Sequence, residues 1–118
     1  MEHAGGIRRG DVHLVELAVA GGVLRKRRPA LVIQNDLANR HAADTIVVAI
    51  RDVHGGRLLP VHVAVRRGTG GLEKDSVIDA GHVMTVPQAV LSQSLGRLPP
   101  EVMRQVDRAI LISLGLAS

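Results

Sequence analysis

The chain of 118 residues contains no Phe, Tyr or Trp and no Cys. Without aromatics, the core must be built from Val, Leu, Ile, Ala and Met. The same absence argues against RNA or DNA bases stacking on aromatic platforms, the device of many single-strand binders, and leaves Arg or His to do any stacking. Without cysteine, disulfides and thiolate metal sites are excluded. Lysine is scarce too, present only at Lys26 and Lys74, so nearly all of the positive charge is arginine. Long apolar runs are missing: the N-terminal MEHAGGIRRGD has no apolar signal core, and no stretch approaches the length of a membrane span. A cytoplasmic protein with no membrane association is therefore expected.

What is present fits one globular domain over 1–118, with 1–8 as a flexible lead. Apolar residues make up 46%, too many for a disordered chain. Lys plus Arg outnumber Asp plus Glu by 15 to 11, a net charge of +4. That balance suits a polyanionic partner, although a GC-rich coding sequence would inflate arginine in the same way. Alternation and β-branched content predict strands over 11–19, 29–34, 45–50, 61–65 and 75–86, the last kinked or bulged at Gly81. The glycine-bearing segments 20–27, 51–60 and 66–71 read as loops or turns, as does 35–44. The period then changes. Residues 87–96 fit a short helix ended by Gly96, and 99–116 fit an amphipathic helix with Val102, Met103, Val106, Ala109, Ile110 and Leu114 on one stripe. The expected class is α+β, mainly β: a small, partly open barrel of five to six strands capped by a C-terminal helix.

The segment KRRPALVIQND (26–36) pushes an arginine into the mouth of a buried strand. From the residues alone, Arg28 reads equally as a solvated loop arginine or as a phosphate-binding group. The order of motifs decides between these. RGDVHLVEL (9–17), RPALVIQNDLANR (28–40), TIVVAI (45–50), LPVHV (59–63), GLEKDSVI (71–78) and VDRAILISLGL (106–116) together resemble the MazF/PemK family. These are toxins of bacterial type II toxin–antitoxin systems, most of them messenger-RNA endoribonucleases. The resemblance implies an SH3-like barrel, a homodimer, and metal-independent cleavage of single-stranded RNA with no cofactor. The 2′-OH attacks the adjacent phosphorus and leaves a 2′,3′-cyclic phosphate and a 5′-OH. It also implies a cognate antitoxin whose acidic, disordered tail folds across the toxin. The resemblance further implies that the position before the proline, here Arg28, is the main catalytic residue: a planar guanidinium can bind two phosphoryl oxygens as charge builds on them.

The chain departs from the family pattern in places. Relatives carry Ser or Thr after the third strand, where this chain has Arg51. Arg51 is expected either to act as a second phosphate clamp beside Arg28, or to face solvent, or to mark a weakened nuclease. Where relatives read Glu-Gln-Ile-Arg, this chain has Gly81, His82, Val83 and Met84. His82 can contact a base or serve as an acid or base, or be a half-buried strand histidine. Arg27, Asn35, His54 and His82 stand as candidate RNA contacts, although Asn35, with Asp36 and Asn39, also suits shaping its own loop. No metal-ligand spacing connects His41, His54 and His62. The alternative function is an RNA-binding or gyrase-targeting (CcdB-like) protein of the same fold with little or no nuclease activity.

Overall fold

The computed structural model describes residues 6–18, 25–53 and 55–118. Six strands form one antiparallel sheet: β1 (Asp11–Ala18), β2 (Arg25–Val32), β3 (Asp44–Asp52), β4 (His62–Val65), β5 (Ser76–Pro87) and β6 (Leu91–Arg97), in the spatial order β4-β5-β3-β2-β1-β6. Two helices accompany them, the single-turn α1 (Asp36–His41) and the C-terminal α2 (Pro100–Ser113). The end strands β4 and β6 do not pair with each other, so the curled sheet is a partly open barrel. The turn after β4 closes the gap against β6. At Gly71, with φ +80°, an added Cβ would lie 1.9 Å from the carbonyl oxygen of Leu95, so only glycine lets the two backbones approach.

The pleat divides the apolar residues between two faces. One face carries Val12 of β1, Leu31 of β2, Val48 and Ile50 of β3 and Ile78 of β5, which pack beneath α2 through Val106 and Ala109. The other carries Val15, Ala30, Val32, Val47, Val86 and Leu91 in a smaller cluster. Such aliphatic, mostly β-branched side chains have few rotamers to lose, which suits a core without rings. The RGD segment acts as a fastener. The backbone N–H of Arg9 donates to Asp36 Oδ1 at 2.6 Å, and its guanidinium donates to the Ile33 carbonyl at 2.8 Å and to Asp107 of α2 at 2.7 Å. The buried Asp11 carboxylate accepts from Arg97 of β6 at 2.5 Å.

Three local expectations are corrected. Residues 35–44 are not a plain loop: Asn35 caps α1 by accepting the Ala38 N–H at 2.8 Å, with Asp36 in the first turn and Arg40 and His41 in the last, as the helix dipole favours. Residues 87–96 are not a helix but a 3-10 turn, Gln88–Val90, followed by β6. Pairing with β1 and burial of Leu91 override the weak helical pattern. Finally, β2 begins at Arg25 rather than at Pro29. Pro29 is tolerated inside it because the ladder to β3 starts only at Ala30, leaving Pro29 with one strand neighbour, β1. Helix α2 matches its expected stripe through Val106 and Ala109, but Leu114 lies past its end and is 61% exposed.

Candidate nucleic-acid interface

The N-terminal half of β2 sets the site. Arg28 lies opposite Val15 of β1 and Arg27 opposite Glu16, so consecutive arginines point to opposite faces of the sheet. Arg28 shares its face with Ala30 and Val32, and Arg27 shares the other with Pro29 and Leu31. Ala30 pairs with Ala49 of β3. By alternation from these two alanines, Arg28 and Arg51 belong to the same face of the sheet, although the β2–β3 ladder itself ends at Ala30. Both arginines are exposed. The two arginines expected to clamp phosphate thus lie on neighbouring strands, Arg28 within β2 and Arg51 near the end of β3.

The same face continues across the sheet. Ala49 pairs with Asp79 of β5, and Asp79 pairs with His62 of β4, giving a row Ala30–Ala49–Asp79–His62 over four strands. Arg51 reaches along this face toward β5 and β4: its Nε is 3.6 Å from Asp79 Oδ2, and its Nη2 is 3.2 Å from His62 Nε2. The two alanines at one end of the row leave room between the arginines and the sheet. His82 is exposed in the bulge of β5, where Ala80, Gly81 and His82 fall between the pairs Ala49–Asp79 and Val48–Val83 and have no partner on β3. It stands three residues beyond Asp79.

On the opposite face, a cavity of about 280 Å³ opens beside β2. Arg27, Arg28, Asp52, Glu73, Lys74, Ser76 and Gln93 supply its polar lining, and Leu14, Pro29, Leu72 and Leu95 its apolar walls. Lys74 and Asp52 form an exposed ion pair at 3.5 Å. Arg28 therefore stands in the N-terminal half of β2 between the cavity and the Arg51 face.

The remaining expected contacts are placed elsewhere. Asn35 is at the far end of β2, seven residues from Arg28, roughly 23 Å at about 3.3 Å per residue. Its side chain is engaged as the cap of α1. His54 lies outside the described residues. Thr45, the one hydroxyl on β3, is fully buried and donates to Asn39 Oδ1 at 2.7 Å, so it faces α1 and not the arginines. Among the described residues, no group of three or more His, Cys, Asp or Glu converges as metal ligands would. Two site residues escaped the sequence reading: His62, weighed only as a metal ligand, and Asp79. The signal was available in the alternation of β4, whose Val63 and Val65 are buried and whose His62 must therefore face the other way, and in a lone acid within the apolar run VIDA.

A row of this kind, with paired guanidiniums on one rim and a carboxylate and imidazole behind them, can hold a phosphodiester. Comparison with known proteins is consistent with that chemistry. The sequence model of one family, described as "PemK-like, MazF-like toxin of type II toxin-antitoxin system", matches residues 8–114. The chain is 40% identical over 111 residues to "Endoribonuclease MazF" of Staphylococcus epidermidis, covering 93% of this chain and 92% of that protein. Among solved structures, it is similar to "Endoribonuclease in complex with its cognate antitoxin from Mycobacterial species", with a TM-score of 0.80 and 27% identity, covering 95% of this chain and 98% of that one. A MazE–MazF structure from Deinococcus radiodurans, at 19% identity, shares the fold with a TM-score of 0.78 over 94% of this chain and 97% of that one.

Proposed function

The chain belongs to the family of PemK-like, MazF-like toxins of type II toxin–antitoxin systems, and we propose that Arg28 is the principal catalytic residue of its endoribonuclease activity. The substrate is single-stranded RNA. There the backbone can splay until the 2′-oxygen lies in line with the scissile P–O5′ bond, and base edges are open to reading. The 2′-oxygen bonds to phosphorus as the bond to O5′ breaks. The 2′-OH loses its proton and the departing 5′-oxygen gains one, leaving a 2′,3′-cyclic phosphate and a 5′-OH. Negative charge gathers on the non-bridging oxygens in the transition state. A guanidinium held there stabilises that state more than the ground state, which is what accelerates a reaction. No metal is needed for this step.

The observation that carries the reading is the placement of Arg28. It is exposed within β2, its backbone is fixed by β1 pairing and by Pro29, and Arg51 is exposed near the end of the neighbouring β3. Arg51 contributes the second phosphate contact in place of a hydroxyl. Arg27, on the opposite face of β2 beside the cavity, and His82, in the bulge of β5, contact the RNA away from the cut. The net charge of +4 adds salt-sensitive attraction to any RNA. The gyrase-directed alternative is not favoured, since the matched relatives are endoribonuclease toxins.

The working form is a homodimer in the cytoplasm, held inactive by an antitoxin with an acidic, extended tail that competes with RNA for the arginine face. Leu111, Leu114 and Leu116 are 41%, 61% and 71% exposed around the end of α2, an apolar surface that a second copy would cover. Among the described residues, no helix is long and apolar enough to cross a membrane.

The test is incubation of a long mixed-sequence RNA with purified protein in EDTA, with the cut ends mapped. Cuts at one short motif, bearing cyclic phosphate and lost in Arg28→Ala, are expected. A folded wild-type protein that cuts none of a broad RNA set would overturn the proposal.

A further inference from the structure

Three donors converge on the carboxylate of Asp79. The Gly81 N–H donates to Oδ1 at 2.9 Å, His62 Nε2 stands 3.6 Å from Oδ1, and Arg51 Nε stands 3.6 Å from Oδ2. The tautomer of His62 follows from the partner of its other nitrogen. The Leu59 backbone N–H donates to Nδ1 at 3.0 Å. A backbone N–H cannot accept, so Nδ1 carries the lone pair and the ring proton sits on Nε2. The 3.2 Å approach of Arg51 Nη2 to His62 Nε2 is therefore donor facing donor and not a hydrogen bond. What holds these two groups together is the carboxylate that both face.

The consequence falls on Arg51. A guanidinium has five N–H donors in a fixed fork. Asp79 meets it on the Nε side, which leaves the Nη1 edge unused. The Asp79 side chain is 19% exposed and that of Arg51 is 43% exposed, so the carboxylate is largely withdrawn while the guanidinium keeps access to solvent. We propose that Asp79 is a positioning residue that aims the free edge of Arg51 at the phosphate engaged by Arg28. This inference rests on the RNA-cleavage reading. An arginine that loses Asp79 keeps its charge but loses its direction. Ground-state attraction to RNA survives, or grows as a negative charge leaves the face, while the transition-state contact weakens. The loss then appears in kcat and not in KM.

The experiment uses the full chain with Asp79→Asn, Arg51→Ala and the double variant. It measures cleavage kinetics on a short RNA carrying the mapped cut site, and binding of the same RNA with a 2′-deoxy residue at the cut. Asp79→Asn is expected to lower kcat about tenfold, with KM unchanged or reduced. The double variant should be no slower than Arg51→Ala alone, and Asp79→Glu, which keeps the carboxylate, should recover part of the rate. Unchanged kcat in Asp79→Asn overturns the proposal. So does a loss that persists in full on the Arg51→Ala background, or one that tracks loss of folded protein and is not relieved by Asp79→Glu. If folded wild-type protein binds the RNA without cutting it, the nuclease reading fails by itself. Coupling of Asp79 with Arg51 in the binding cycle then keeps the positioning role, and additivity there overturns it.

Discussion

Replacing Asn39 with alanine should cost far more than an ordinary surface change, although the residue lies in a six-residue helix on the outside of the barrel. Asn39 is 5% exposed and its side chain makes four hydrogen bonds. Its Oδ1 accepts from Thr45 Oγ1 at 2.7 Å and from Gln34 Nε2 at 2.9 Å; its Nδ2 donates to the Gln34 carbonyl at 3.0 Å and to Asp36 Oδ1 at 3.3 Å. Truncation leaves the Thr45 hydroxyl, which is fully buried, without its acceptor. An orphaned buried polar group costs about 1–3 kcal/mol, and each further lost bond about 1 kcal/mol where water cannot replace it. Gln34 and Asp36 are partly or wholly exposed and can turn to water, so the sum is about 2–4 kcal/mol. For a domain of this size that corresponds to a fall in Tm of roughly 10 °C. Thr45→Val removes the hydroxyl itself and leaves Asn39 Oδ1 with its Gln34 donor, so it should cost only about 1 kcal/mol. The double variant should cost less than the sum of the two, since the orphan is gone. Urea and thermal unfolding of the three variants check this. An Asn39→Ala variant within about 0.5 kcal/mol of wild type, or a Thr45→Val variant that costs as much as Asn39→Ala, would refute the reasoning.

Other outcomes follow from the same geometry. Arg28→Ala should leave Tm almost unchanged, because the side chain is exposed, while reducing cleavage by about 10²–10³-fold; a large drop in Tm would assign Arg28 to the fold. Gly71→Ala should destabilise by about 3 kcal/mol or more, because φ +80° strains any side chain and its Cβ meets the Leu95 backbone; near-native melting would show that the turn and β6 do not close as described. Asp36 is held below the usual carboxylate range, chiefly by the Arg9 backbone N–H and then by the Asn39 side chain. Its folded pKa is thus lower than its unfolded one. The stability it contributes is complete above the ordinary carboxylate pKa and disappears as pH falls through the lowered value. Asp36→Asn should therefore flatten the acid limb of stability measured by urea unfolding and leave the alkaline limb unchanged.

The parts of the fold legible in the sequence are those with one dominant signal. The strands β1, β3, β4 and β5 follow from alternation and β-branched runs, and α2 from its apolar stripe, while the bulge of β5 was marked by Gly81. The errors arose where two signals compete. Residues 91–97 carry Leu91 and Leu95 at a spacing that suits a strand or a helical turn, and only pairing with β1 decides. Helix α1 is too short for periodicity to report, and its evidence was the capping asparagine alone. At the candidate site, Arg28 and Arg51 were found through motif order, and their shared face could then be deduced from the register. Asp79 and His62 could not be found that way, since their meeting depends on how β4 pairs with β5 across a ten-residue segment whose length leaves that register open.

The early end of the β2–β3 ladder has a further consequence for solubility. Among the described residues, no strand pairs with β2 on that side before Ala30, while β3 continues with β5 to Asp52. An unpaired strand edge is a template for a second chain, and many proteins aggregate through such edges. Here the stretch is Arg25–Pro29, four cations and a residue with no N–H to offer. Another copy of the same strand would meet like charge and a missing donor at once. The residues that suit this edge to a polyanion are the same ones that make it repel its own kind.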